Sequence, residues 1–474
     1  MTVESGKDQT LQCFRGRDIV LWCVLGILTA VSFTFLRHGE GELKVYRRAA
    51  QQFAAGEDIY RTVESGPFAY PPFFVVPFVP LAALPANIAR AVFYFLNILM
   101  LGMIVRLIAW SWQRFVDRTE RQETRTSPVG DRQTTVHTGR RWALVFVIAI
   151  LAGRHAISPI EYQGHELIVF LLVMAAIVSW DAKQRWWPGF WIGLAAACKA
   201  TPLLFLPVFL WQRKWLSATA LAITMLGATL LPDAISRRTD GRMWAVAWCD
   251  TFLSKLEVGV APDVKNTWKS WNILNQSLAG TVYRLSSRKP SSAESGYGVR
   301  MFPLSSAGRQ FATIASILVV LLFVAFVTRR SLTEGLGFAD RSFVRLAQGS
   351  VVLCAMLLLS PMSSKQHFCT LPLPISVICV DIFYGRRSLI SLGAISVVFM
   401  LGTLAAKDVV GRPLGNTALA LGSLTFCTLI CLLAAGHIAL RAANRAAARQ
   451  QKRIDSVPST DELLSRRYRH GDAA

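Results

Sequence analysis

Moving a group from an anionic carrier to a hydroxyl takes a carboxylate to accept the hydroxyl proton. It also takes cations or imidazoles to steady the departing phosphate, whose charge grows in the transition state. Such groups gather at a few places in a chain that is otherwise apolar. Gly56-Glu57-Asp58-Ile59-Tyr60, followed by Phe68-Ala69-Tyr70-Pro71-Pro72, sets the carboxylate of Asp58 beside an apolar stretch. Arg154-His155 and Glu161-Tyr162-Gln163-Gly164-His165-Glu166 put more polar and ionisable groups between two apolar runs than a turn requires. Lys199, in Lys199-Ala200-Thr201-Pro202, is a cation in apolar surroundings, costly unless it meets a partner or an anionic ligand. Ser360-Pro361-Met362-Ser363-Ser364-Lys365-Gln366-His367 adds a lysine and an imidazole able to face one cavity. Arg154, His155, Lys199, Lys365 and His367 are therefore candidates for the phosphate side of such a transfer. Blander readings stand beside these: Asp58 ending a helix near Gly56, and Lys199 snorkelling to the headgroups.

Other chemistries are not indicated. There is no His-Glu-x-x-His, no histidine pair at helical spacing, no aspartate cluster and no Cys-x-x-Cys, so no metal is expected. A phosphate loop of the GxxxxGK[ST] kind is missing too, so no nucleotide energy source and no cofactor is expected. Most of the nine cysteines lie in apolar stretches and imply no disulfide framework.

The elements that must carry these groups are membrane spans. Of the 474 residues 53% are hydrophobic and only 17% charged, which excludes a disordered or ordinary water-soluble chain. Apolar stretches long enough to cross a bilayer core of about 30 Å predict spans near 19–36, 89–111, 142–158, 166–180, 215–232, 311–328, 343–360, 369–384, 388–405 and 416–440. Pro71 to Leu84 is too short and too rich in proline to span, and reads as a re-entrant or interfacial piece. Pro188 to Trp211 reads as two half-length helices that rise and return, with Lys199 to Pro202 as the turn. Leu43, Tyr46, Ala50 and Phe53, separated by 3, 4 and 3 positions, predict an amphipathic helix lying in the interface plane.

The net charge of +22 raises a nucleic-acid partner, but the cations sit between apolar runs rather than in one patch, so none is expected. They are distributed by side. With the amino terminus inside, the short inner pieces hold 28 cations and the short outer pieces 8. The expected protein is thus all-α and polytopic, with about twelve helical passes counting the half-helices. Its inner amino terminus is 1–18, its transmembrane domain 19–440 and its basic inner tail 441–474. A first outer loop covers 37–88, and a tryptophan-rich outer loop covers 233–310, long enough to act as a lid. Anionic membrane lipids are the expected partners of the basic loop 112–141 and the tail.

The ordered set of Gly56-Glu57-Asp58-Ile59-Tyr60, Tyr70-Pro71-Pro72-Phe73, Tyr162-Gln163-Gly164-His165, Gly193 through Lys199 to Leu204, and Asn275-Gln276-Ser277-Leu278 resembles glycosyltransferase family 87, over roughly 40 to 370. The family includes polyprenol-phosphate-mannose-dependent α-mannosyltransferases of phosphatidylinositol mannoside assembly. The resemblance implies a GT-C fold and transfer of a sugar from a polyprenyl-phosphate donor, with inversion, to a lipid or glycan acceptor outside the cytoplasmic membrane. By motif position Asp58 resembles the family's catalytic base and His367 its histidine near the donor phosphate. Arg154, His155, Lys199 and Lys365 then join the donor phosphate. Glu57, Tyr60, Tyr70, Gln163, His165, Glu166, Asn275 and Gln276 become candidates for sugar and acceptor. Where the family often has Gln-x-Asn after the corner glycine, this chain has His165-Glu166-Leu167, which leaves the sugar open. A transporter or lipid-linked glycan flippase, and a GT-C polymerase or ligase with a pyrophosphate-linked donor, are the competing expectations. Against transport, no internal repeat is found and the ionisable groups sit at an edge rather than the midplane.

Overall fold

The computed structural model describes residues 41–60, 68–126, 130–180, 184–255, 257, 271–287, 301–385 and 388–455, and among these it is helical with no strand. The expected span 19–36, the terminus 1–18 and the far part of the tail lie outside the described residues. Among the described residues seven helices are long and apolar enough to cross a membrane, or eight if one bent pair counts as a span. The expected count of about twelve includes 19–36 and three shorter apolar segments, so the described helices do not settle it.

Helix α1 (Leu43–Ala54) is followed by a 3-10 stretch, Pro72–Phe78, and one further helical turn, Val79–Ala82. The long helices α2 (Ala86–Thr126) and α3 (Gly130–Glu161) come next, joined near one end by ion pairs of Arg141 with Asp117 and Glu120. Then come α4 (Glu166–Val178), α5 (Trp187–Cys198), α6 (Phe205–Trp211) and α7 (Trp215–Ile235). Within 233–310 lie α8 (Trp244–Thr251) and α9 (Leu278–Ser286), and α10 (Ser306–Thr328) closes that segment. Helix α11 (Phe338–Leu359) is the buried centre of the bundle, and α12 (Pro372–Tyr384), α13 (Leu389–Phe399), α14 (Lys407–Ala420) and α15 (Ser423–Asp455) complete it.

The pair α5 and α6 rises and returns. Lys199 takes an extended backbone (φ −157°, ψ 128°), and Pro202 then prevents the helix from resuming its ladder. At the start of the pair the Ser217 hydroxyl donates to Arg185 O (2.5 Å). At its finish Gln212 accepts from Trp180 Nε1 (3.2 Å) and Arg345 Nη1 (2.7 Å) and donates to Thr328 O (2.7 Å). Both ends of the pair thus meet the same end of the bundle, and Lys199 points to the other. Gly189 makes the packing of α5 on α7 possible, because a Cβ there would lie 1.9 Å from Ser217 O.

Two expectations are corrected. The apolar face of α1 meets protein rather than lipid: Tyr46 packs on Phe74 and Phe78 (ring centroids 5.3 and 5.0 Å) and Phe53 on Trp244 (5.1 Å). Amphipathic spacing reports a buried stripe and not what buries it. The last span begins at Ser423 rather than 416, because Gly422 takes a left-handed backbone (φ 87°) and ends α14. Helix α13 runs through a π-turn, Met400–Leu404, and bends by 91° into α14, which is itself kinked at Gly411 (φ 80°).

Candidate functional site

Three chain breaks converge at the Lys199 end of the bundle. Glu166 opens α4, Lys199 lies between α5 and the 3-10 turn Thr201–Leu204, and His367 sits in the 3-10 helix Lys365–Thr370. All three line a cavity of ≈ 30 Å³ with Thr201, Ser360 and Ser363, over an apolar floor that includes Leu353. Such a volume holds only a couple of waters.

Hydrogen bonds assign the tautomers. Nδ1 of His367 accepts from the Ser364 backbone N–H (2.7 Å), so the proton is on Nε2, which faces Glu166 Oε1 at 3.6 Å. The Tyr46 hydroxyl donates to Glu42 Oε2 (2.5 Å) and so accepts from His165 Nδ1 (3.0 Å), leaving His165 Nε2 as a bare acceptor. His165 Nε2 and Glu166 Oε2 are buried with no hydrogen-bond partner among the described residues. The Lys199 ammonium likewise makes no hydrogen bond among them, and it shares the cavity lining with Glu166. Gly164 leaves room for this arrangement, since a Cβ would fall 2.2 Å from Glu166 Oε2. Ligand atoms of Glu42, His165 and Glu166 lie within 4.8 Å of one another, near enough for a cation, although the Tyr46 hydroxyl already joins two of them.

Asp58 stands in the loop after α1, outside this cavity. Its Oδ1 accepts from the Tyr60 N–H (3.0 Å) and from Arg238 Nη1 (3.1 Å), and the side chain is 44% exposed. Glu57 is exposed beside it. The Tyr60 hydroxyl donates to Tyr70 O (3.3 Å), and the Tyr70 ring packs on His165 (4.3 Å between centroids), so one aromatic layer joins the Asp58 loop to the cavity. Burial pushes the Tyr60 and Tyr70 hydroxyls well above the usual phenol value, so both stay neutral.

Not every candidate is brought to the cavity. Arg154 pairs with Asp408 (2.8 Å) and Lys365 with Glu161 (3.3 Å), its ammonium over the Tyr162 ring. His155 is buried against Gly402 of the π-turn. Asn275 donates to Pro361 O (3.1 Å) and accepts from the Ser277 and Ser363 N–H groups. Gln276 donates to Ile273 O (2.6 Å) and Leu419 O (2.7 Å), so both amides fasten the 271–278 loop to its neighbours. Gln163 is buried at the corner with a left-handed backbone (φ 53°). Sequence reasoning missed Arg238, Tyr46 and Glu42. Arg237-Arg238-Thr239-Asp240 directly after an apolar run was the available signal for the first.

The family model of glycosyltransferase family 87 matches residues 68–361, a stretch that carries Glu166, Lys199 and most of the helices around them. The chain belongs to glycosyltransferase family 87. Asp58 and His367 fall outside the matched stretch of this family-87 chain. Curated relatives include a polyprenol-phosphate-mannose-dependent alpha-(1-2)-phosphatidylinositol mannoside mannosyltransferase of Mycolicibacterium smegmatis, 24% identical over 380 residues, 78% of this chain and 74% of the relative. The Mycobacterium tuberculosis protein of the same description is 24% identical over 247 residues, 48% of this chain and 54% of its own. A pentamannoside mannosyltransferase of M. smegmatis is 26% identical over 218 residues, 44% and 47% of the two chains. Family membership and the long apolar helices together make this an integral membrane glycosyltransferase.

Proposed function

We propose that this family-87 enzyme moves a sugar, mannose or another hexose or pentose, from a polyprenyl-phosphate donor to a hydroxyl of a lipid or glycan acceptor. Transfer inverts the anomeric carbon, with Asp58 as general base. The relatives' described dependence on polyprenol-phosphate-mannose supports the donor class. The observation that carries the reading is the cavity itself: an ammonium without a hydrogen bond and an imidazole N–H face the same space. They are the donors that a leaving phosphate needs. Lys199 and His367 are its phosphate groups, and Oε2 of Glu166 and Nε2 of His165 are acceptors for sugar hydroxyls. Arg154, His155 and Lys365, engaged elsewhere, are left out of the phosphate site. The excess of cations at the other end supports a site on the outer face of the cytoplasmic membrane, with inner termini. No metal or other cofactor is assigned a part.

The test is to incubate the purified protein with polyprenyl-phosphate mannose, glucose or arabinose and total membrane lipid, following donor loss by mass spectrometry. Consumption of one donor by the wild type that falls to a small residual rate in Asp58→Asn, with the variant still in the membrane, is the expected result. Retained turnover in Asp58→Asn removes its role as base, and no consumption of any donor by folded wild type removes the donor class.

A further inference from the structure

We infer that Arg238 is a positioning residue that sets the orientation of Asp58, an inference that rests on Asp58 being the base. One oxygen of that carboxylate is occupied and the other is open: Oδ1 accepts from Tyr60 and Arg238, whereas Oδ2 accepts no hydrogen bond among the described residues. Arg238 is itself held on several sides. Its Nε and Nη2 fork onto Asp240 (2.9 and 2.6 Å), its guanidinium lies over the Trp244 ring (5.1 Å), and its side chain is only 4% exposed. Trp244 is fully buried, and its indole N–H donates to Ser236 O (2.7 Å).

The backbone repeats the connection. The Thr239 N–H donates to Gly56 O (2.9 Å) and the Ser236 hydroxyl to Phe53 O (2.7 Å). Gly56 takes a left-handed backbone (φ 71°), with Arg237 O where a Cβ would be 2.6 Å away. The strip 236–240 is therefore a clamp on the Asp58 loop, built from residues about 180 positions away in sequence.

In the transfer, the acceptor oxygen bonds to the anomeric carbon and the carbon–oxygen bond to phosphate breaks. The electron pair of that bond leaves with the phosphate, and the acceptor proton passes to Asp58 Oδ2. Arg238 touches none of the reacting atoms; it fixes which oxygen is presented and where. Its planar fork serves Asp240 with two N–H groups and Asp58 with a third, which a lysine cannot reproduce.

The experiment compares full-length Arg238→Gln, Arg238→Lys, Asp58→Asn and the Asp58→Asn/Arg238→Gln pair by steady-state donor consumption and thermal unfolding. The expected result for Arg238→Gln is a kcat lower by on the order of 100-fold with the donor KM unchanged. Arg238→Lys, which keeps the charge and the bulk if the Gln variant fails to fold, loses kcat in the same direction. The double variant shows the same residual rate as Asp58→Asn alone, because the group through which Arg238 acts is already gone. A double variant slowed by the full Arg238→Gln factor, or single Arg238 variants with wild-type kcat, overturns the inference while leaving Asp58 as base. Wild-type turnover in Asp58→Asn alone would instead overturn the reading of the base, and this inference with it.

Discussion

Replacing Lys199 by methionine tests whether the cavity handles phosphate or only balances its own charges. The ammonium lines the cavity with Glu166 and His367 over an apolar floor and has no hydrogen bond to the described protein. Two unit charges about 4 Å apart interact by about 4 kcal/mol at an effective dielectric of 20, against about 1 kcal/mol in water. The narrow, partly apolar cavity lies between the two. Loss of one fixed donor to transition-state charge costs about 3 to 4 kcal/mol, or roughly 10²- to 10³-fold in rate. Lys199→Met is therefore expected to lower kcat/KM for the lipid donor by roughly 10²- to 10³-fold, read by mass spectrometry of donor consumption. It also removes a cation that lines the cavity with Glu166, and Tm in detergent is expected to fall. Adding Glu166→Gln, which keeps an acceptor oxygen but no charge, separates the two effects: Tm recovers and activity does not. A double variant that regains activity to within about tenfold of wild type would show that Lys199 serves only Glu166, and the phosphate reading would be refuted.

Further expectations follow from individual contacts. Gly189→Ala drives a Cβ into Ser217 O and must part α5 from α7, so it should destabilise the protein by about 1–3 kcal/mol and lower Tm. Arg238 holds the Asp240 carboxyl well below the usual carboxylate range. The clamp's contribution is thus complete above the value of an unpaired aspartate, about 3.9, and is lost only as pH falls through the lower folded value. Hydrogen exchange in 236–252, corrected for intrinsic rate, should be equal at about pH 7 and pH 5 in the wild type and faster at both in Asp240→Asn. Arg154→Gln and Lys365→Gln break exposed pairs worth about 1 kcal/mol or less, and donor turnover in either should stay within a few-fold of wild type. A loss on the scale of Lys199→Met would return that residue to the phosphate site.

What the sequence made legible was whatever depends on neighbours in the chain. Apolar run length located the long helices, and the four-position spacing of Tyr46 and Ala50 located the buried stripe of α1. Pro202 and Lys199 marked the break between the half-helices. The Asp58 clamp, by contrast, joins partners about 180 positions apart, and the Tyr46–His165 bond spans 119. Local spacing carries no trace of such pairings. Arg154 shows the cost of that blindness: a charge at a helix end near other polar groups looked poised for phosphate. Its partner, Asp408, arrives from 254 positions away only because α13 bends into α14. The Asn275 and Gln276 amides were legible as unusual but not as fasteners, since the carbonyls that receive them belong to other segments.

The lengths of the helices bear on why the cavity is where it is. Helices α4 and α5 have 13 and 12 residues, so at 1.5 Å per residue they rise about 20 and 18 Å from the end that holds Trp180 and Arg185. A bilayer core is about 30 Å thick, so neither helix is long enough to cross it alone, and Glu166 and Lys199 mark the ends at which the two helices stop. Charged groups among apolar helices are tolerated only around a cavity or a bound partner, and Glu166 and Lys199 line one. A donor whose phosphate is tethered to a lipid chain can enter such a cavity from the side with its tail still in the bilayer. A nucleotide sugar would have to carry an unshielded diphosphate and a polar nucleoside to the same cavity among apolar helices. The shortness of two helices, rather than any single residue, thus favours a lipid-borne substrate over a soluble one.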